Sequence, residues 1–453
     1  VSLRRETLLY GASTVVSGLV VVAFLPFMSA WLSPALAGEV GVLRIASEAV
    51  AGILVLGLPA GIVKLWQDPG ISRRSIILRS TAGTLAGSAV VFAAAPLLRG
   101  TLSPMLSLET PGGLMHAAAL GTGAALVQVA LSFQRASGRA AGYLAIQSGR
   151  GLLSLALLPL LLGAGAGGAA SFLAARWMPA FAAAGAALAL ALRSAGGEGR
   201  PAAGLYRFSL PLMPAGLALL VMSSADMLML RGMAPPEQSG YYEWASSACM
   251  ALTPLTLGFG LAWQRRIFEA RGEGGLARLG RQALSYMVLL LALAVPLGLL
   301  APEAVSLVGG AAYAGAARVL PILAGAGALY GIFLVSQTGP MLDGRTWLVA
   351  AATILGALAN VWFNYRLIPL HGAAGAALAT LGTNLFMAGS LFWSGRKAFP
   401  ASLPVLLALV AVPCALGPAS MLPQAARIAA AAGWTAMSAL LLSALSRAGR
   451  ADA

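Results

Sequence analysis

Six charged residues stand inside stretches that are otherwise apolar: Arg44, Glu48, Arg176, Asp226, Arg231 and Glu243. A charge near the centre of a membrane helix costs about 2.5–3.5 kcal/mol on insertion scales. It is retained where it finds a partner or lines a wet cavity that handles charged cargo. Arg44 and Glu48 lie one helical turn apart, so mutual pairing is open to them. Asp226 is the deepest acid of its stretch, with Arg231 further toward the outer interface, and Arg176 has no acid nearby in sequence. The chemistry on offer is electrostatic: arginines attract an anion, and carboxylates hold a cation or a proton. Gln128, Gln337, Asn360, Asn364 and Asn384 are weaker candidates, for cavity lining or interhelical hydrogen bonds. His116 and His371 have no metal-ligand spacing, and no phosphate-loop lysine motif is present.

The elements that carry these residues are membrane spans. Hydrophobic residues make up 59% of the 453 and charged residues only 9%, with a mean hydropathy of +0.85. Soluble domains are roughly a quarter charged, so this chain lacks the polar residues for a water-facing surface. The apolar residues fall in blocks of roughly 18–24, enough for a helix to cross about 30 Å of hydrocarbon. About fourteen blocks are discernible, beginning near Leu8, Val42, Ser80, Leu114, Tyr143, Ala169, Ser209, Tyr241, Ala283, Val319, Thr346, Ala373, Ser402 and Arg427. The fold class expected is therefore all-α, a polytopic transmembrane helical bundle. The run Gly163–Gly168 reads as a hairpin turn, and prolines such as Pro26, Pro59, Pro296 and Pro321 are expected to kink or break helices.

Basic residues orient the bundle. With both termini cytoplasmic, about 22 of the 29 basic residues fall on the inside, among them Arg139, Arg150 and Arg193, as the positive-inside rule predicts. This accounts for the net charge of +15 without nucleic acid as a partner, and makes membrane lipids the expected surroundings. Trp66, Trp263, Trp347 and Trp393 are expected in an interfacial belt. Cys249 and Cys414 read as packing residues. The first span reads as retained, although Pro34-Ala-Leu-Ala37 beyond it has the look of a cleavage site.

Sliding the chain by 199 positions superposes Gly41 on Gly240, Ala46 on Ala245, Ser47 on Ser246 and Gly61 on Gly260. Two parallel, pseudo-symmetric repeats are expected: an N-terminal six-helix lobe over 1–192, a cytoplasmic linker over 193–208, a second six-helix lobe over 209–400, and two further helices over 401–453. Under this offset Glu243 is the counterpart of Arg44, with opposite sign. Small-residue faces at Gly57-x-x-x-Gly61, Gly83-x-x-x-Gly87 and Gly327-x-x-x-Gly331 predict close helix packing.

The segment Asn364-Tyr-Arg-Leu-Ile-Pro369, followed by Gly372-Ala-Ala-Gly-Ala-Ala-Leu-Ala-Thr380, resembles the end of span eleven and start of span twelve in a known superfamily. Gly240-Tyr-Tyr-Glu-Trp-Ala245 and Ser223-Ser-Ala-Asp226 are similar to two further motifs of it. On these the chain resembles the polysaccharide flippase branch of the multidrug/oligosaccharidyl-lipid/polysaccharide exporters. The resemblance implies a non-enzymatic, alternating-access flippase of the bacterial inner membrane. Its partner would be a lipid-linked oligosaccharide, the O-antigen or exopolysaccharide repeat unit on a polyprenyl pyrophosphate, with other polysaccharide-assembly proteins nearby. Arg44 and Arg176 would attract the pyrophosphate. No cofactor is implied, and the coupling ion, proton or sodium, stays open. So do a lipid II flippase, a multidrug/cation antiporter using Asp226 and Glu48, and a membrane-embedded glycosyltransferase.

Overall fold

Local sequence signals explain where the helices start and stop. The computed structural model describes residues 3–165, 167–196, 198–256, 259–260, 263, 267, 275–395 and 403–451. Helix α1 (Leu3–Ala23) breaks at Phe24, and Pro26 sits in the first turn of α2 (Leu25–Trp31), where its missing N–H costs nothing. Helix α3 (Pro34–Val55) opens with Pro34 behind Ser33, whose side chain accepts the Leu36 N–H. It ends on two successive left-handed residues, Leu56 (φ 50°) and Gly57 (φ 69°), before α4 (Leu58–Trp66) resumes with Pro59. Gly57 therefore makes a turn, not the helix-packing contact its spacing from Gly61 suggests. Ser72 caps α5 (Arg73–Met105) by accepting the Ser75 N–H. The second and third spans thus start at Pro34 and Arg73, earlier than hydropathy alone places them, because the caps lie in the polar flank.

Helices α6 (Gly113–Ala136), α7 (Ala140–Gly163) and α8 (Gly168–Ser194) follow. The expected hairpin between α7 and α8 is present, with Gly165 and Gly167 at positive φ. Then come the short α9 (Leu205–Ser209), α10 (Met213–Met233), α11 (Pro236–Cys249), α12 (Gly275–Leu299), α13 (Ala316–Ser336), α14 (Thr346–Gly395), α15 (Leu403–Ala419) and α16 (Gln424–Ala451). Helix α14 holds the eleventh and twelfth spans, divided at Gly372 (φ 55°, ψ −130°). Pro296 and Pro321 lie within α12 and α13 without ending them. The start of each expected span falls on or beside one of these helices, spans eleven and twelve on the two parts of α14, while the second half of span eight and the start of span thirteen lie partly outside the described residues. Among the described residues ten stretches are long and apolar enough to cross a bilayer.

The chain divides into two compact units, Val1–Gly232 and Met233–Ala453. In the first, Leu58, Ile62, Ile76, Ile77, Phe133 and Leu205 form a core at one end of α4, α5, α6 and α9. The stretch leading into α9 is strapped to it: Ser72 N–H donates to Arg200 O, Ala202 N–H to Ser75 Oγ, and Tyr206 Oη to Arg79 O. Close packing explains the small residues. A Cβ on Gly61 would lie 2.1 Å from Ser209 Oγ, and one on Gly83 1.7 Å from Tyr206 Oη. In the second unit the core centres on Leu279, Tyr286, Leu290, Leu329 and Phe333. Trp263 belongs to that core: it is buried and donates to Thr338 Oγ1, which removes it from the expected interfacial belt. Trp393 falls outside the described side chains. Leu97, Leu160 and Leu440 are 82%, 70% and 70% exposed, so the helices turn large aliphatic side chains outward, as a lipid solvent requires.

Candidate functional site: charged side chains within the spans

Arg44 and Glu48 find each other. Arg44 Nη1 lies 2.7 Å from Glu48 Oε1 on the face of α3, about 15 Å of helix rise beyond Pro34. The pair is partly exposed, and its two charges compensate within one turn. Arg176 is placed differently. It is half-buried on α8, with its guanidinium carbon 5.2 Å from the centroid of the Phe24 ring. Phe24 packs edge-on against Phe172, so the break between α1 and α2 presents an aromatic face to the cation, an attraction that strengthens away from water. The neighbouring Trp177 Nε1 donates to His116 Nδ1 at 3.2 Å, which ties α8 to α6 and gives His116 a packing role.

Arg231 and Glu39 hold one loop from two sides. Arg231 is buried and donates to the carbonyls of Ser107 (2.5 Å), Ala35 (3.3 Å) and Leu106 (3.5 Å). Glu39, 1% exposed, accepts from the N–H groups of Glu109 (3.0 Å) and Thr110 (2.7 Å). Ser107 has φ 51°, a conformation that non-glycine residues hold only under constraint. Glu39 is not among the sequence candidates because hydropathy starts its span at Val42. The one available signal was the 199-residue offset, which sets Glu39 over Gln238. Gln238 Oε1 accepts the Ala373 N–H at 3.0 Å, beside the Gly372 break. The two positions related by the offset, Glu39 and Gln238, thus each accept from backbone N–H groups of another segment.

Asp226 is half-buried on α10, and its Oδ1 accepts the N–H of Met227. Glu243 is buried on α11 in the second unit, and its carbonyl accepts from Ser246 Oγ. Three of the weaker candidates, Asn360, Asn364 and Asn384, make helix contacts. Asn360 Nδ2 donates to Thr383 Oγ1, Asn364 Nδ2 to Asn360 Oδ1, and Asn384 Nδ2 to Ala326 O.

One arginine lies deeper than its assignment to the cytoplasmic flank implies. Arg150 is about 15 Å of rise beyond the start of α7, well inside the span. It lines a groove of about 940 Å³ in the first unit together with Arg139 and Arg193. Among the described residues no group of three histidines, cysteines or carboxylates is placed to hold a metal.

No family model matches the chain, and no curated protein does. Solved structures do. The chain is similar to the "lipid II flippase MurJ, inward closed conformation" at TM-score 0.70 and 13% identity, with 99% of each chain covered. It is also similar to an inward-facing multidrug resistance MATE family transporter of the MOP superfamily, at TM-score 0.65 and 16% identity, over 88% of this chain and 95% of that one. A third likeness is to a MOP superfamily transporter from Pyrococcus furiosus, described by its "reverse polarity of binding pocket", at TM-score 0.54 and 16% identity, over 87% and 94%. At such identities the likeness is one of fold, and the chain shares the polytopic helical architecture of these transporters.

Proposed function

We propose that the chain is a flippase which carries a polyprenyl-pyrophosphate-linked glycan across the bacterial inner membrane by alternating access. The observation that supports this most is Arg176. It is a half-buried cation on α8, about 12 Å of rise from the start of the helix, set against an aromatic face. A fixed cation in low-dielectric surroundings attracts a pyrophosphate far more strongly than one in water. Arg44, the other cation in this reading, pairs with Glu48.

Two cargoes fit that chemistry, the oligosaccharide repeat unit of a surface polysaccharide and lipid II. The whole-length likeness to a lipid II flippase favours the second. The MATE likenesses favour an ion-coupled antiporter instead, in which Asp226 would be the ion site. Glu48, the other acid such an antiporter would use, is tied to Arg44.

Proteoliposomes carrying fluorescent polyprenyl-pyrophosphate glycans, with and without an ion gradient, separate the readings. Transfer between leaflets that falls at least tenfold in Arg176→Ala, and less in Arg44→Ala, is the expected result. Undiminished transfer in Arg176→Ala overturns the assigned role. Absence of transfer, with proton or sodium flux driven by cationic drugs and lost in Asp226→Asn, replaces the flippase with the antiporter.

A further inference from the structure

In the second unit a cavity of about 1090 Å³ opens between α11, α13, α14 and α15, at the end where α13 begins and α14 breaks at Gly372. Three arginines lie toward this end, against a distribution that collects basic residues at the other ends of the spans. Two of them have partners. Arg427 pairs with Glu303, and the Arg366 guanidinium carbon lies 6.0 Å from the centroid of the Trp362 ring. Arg318, in the first turn of α13, lines the cavity, and its exposed side chain makes no ion pair or hydrogen bond with any described residue. Among the described residues no carboxylate lines the cavity. Glu303, beside the lining residue Pro302, is held by Arg427, and Glu237, beside Gln238, is not part of the wall.

The rest of the mouth carries further donors. Gln238 Oε1 is taken by the Ala373 N–H, which leaves the two amide N–H groups of Gln238 for an occupant. The Tyr241 ring rests on Gly315, where a Cβ would lie 2.5 Å from its Cε2, and this sets Tyr241 beside the turn that leads into Arg318. His371, next to the break, is exposed on the same wall. Donors gathered around an arginine suit the oxygens of a phosphate. Further in, the wall turns apolar. Ile322 lies one turn beyond Arg318 on α13, and Ala374, Leu378 and Leu381 share one face of α14 past the break. A free phosphate ester would meet the donors and leave this face bare. A lipid uses both.

We propose that this cavity binds an anionic phospholipid from the leaflet at that end of the unit, the outer one in the orientation expected from the arginines. Its phosphate sits among Arg318, Gln238, Tyr241 and His371, and a chain runs along Ile322 and Leu378. All the walls belong to the second unit, so the site does not depend on Arg176 or on what the protein transports.

Native mass spectrometry of the purified full-length chain, released from a neutral detergent, tests this with dioctanoyl phosphatidylglycerol, dioctanoylglycerol and glycerol phosphate as probes. Phosphatidylglycerol is expected to bind at least tenfold more tightly than either of the others. Arg318→Gln is expected to weaken its tightest binding at least tenfold, while Arg318→Lys stays within a few-fold. Ala374→Leu, which narrows the apolar face, is expected to weaken phosphatidylglycerol and leave glycerol phosphate unchanged. Undiminished binding of phosphatidylglycerol in Arg318→Gln overturns the proposal. Glycerol phosphate that binds as tightly as phosphatidylglycerol overturns its lipid component. The readout is binding, so it is separate from the translocation result for Arg176.

Discussion

Glu39 holds the loop between α5 and α6 by its N–H groups, and Arg231 holds the same loop by its carbonyls. Neither role needs a ligand. Glu39→Ala leaves two backbone donors without their acceptor, and hydrogen bonds to a charged group are worth about 1.5–3 kcal/mol. Thermal unfolding in detergent should therefore show a clear loss for Glu39→Ala and a smaller one for Glu39→Gln, which keeps an acceptor oxygen. An unchanged midpoint in Glu39→Ala would mean that the loop is held by Arg231 alone. These two residues also show what a sequence reveals of a site. A charge in an apolar run is visible as a cost, and that singled out Arg44, Glu48, Arg176 and Arg231. What offsets the cost is not visible. Arg44 and Glu48 could be paired on paper because they are one turn apart. Arg231 reaches carbonyls far away in sequence, and Glu39 lies outside the apolar run because its helix starts at Pro34, ahead of the hydropathic onset at Val42.

The helices themselves were legible almost throughout, since bilayer thickness imposes a length that few other structures share. Their breaks were partly so. Pro26 and Pro59 mark real interruptions, while Pro296 and Pro321 do not, because a proline can be accommodated where neighbouring helices hold the segment straight. Small residues were read as packing contacts, and Gly83 shows how tight these are. Gly83→Ala must push the Tyr206 ring away and loosen its bond to Arg79 O, at a cost of about 1–3 kcal/mol. Tyr206→Leu removes the obstacle, so the double variant should lose markedly less stability than the two single losses combined. Simple additivity in that cycle would show that α5 and α9 do not press on each other there.

A second tie between elements titrates. Glu303, in the segment after α12, accepts from Arg427 at the start of α16. Burial works to raise the Glu303 carboxyl, but the hydrogen bond and charge of Arg427 outweigh it and hold the group below its ordinary value. A carboxyl lowered in the folded state adds stability above its unfolded pKa, and that contribution is lost as pH falls through the folded value. Unfolding midpoints should therefore decline from neutral pH into the acid range more steeply in the parent than in Glu303→Gln. Parallel declines would show that the pair contributes nothing to the docking of α16.

At the scale of the whole molecule the open quantity is direction. Uneven arginine distribution assigns the ends of the helices to two sides of the membrane, and the assignment can be read chemically because Cys249 and Cys414 are free thiols that serine can replace. In that background Glu198→Cys and Glu109→Cys place single thiols at exposed positions on opposite ends of the first unit. A membrane-impermeant maleimide added to intact cells should label Glu109→Cys at once, and Glu198→Cys only after permeabilisation. The reverse pattern would put Arg139 and Arg193 at the outer leaflet. A cargo made on the cytoplasmic face could not then enter by that end. Labelling of both thiols from outside would be inconsistent with an odd number of crossings between them. Residues 109 and 198 are separated by α6, α7 and α8, and three spanning helices require opposite sides.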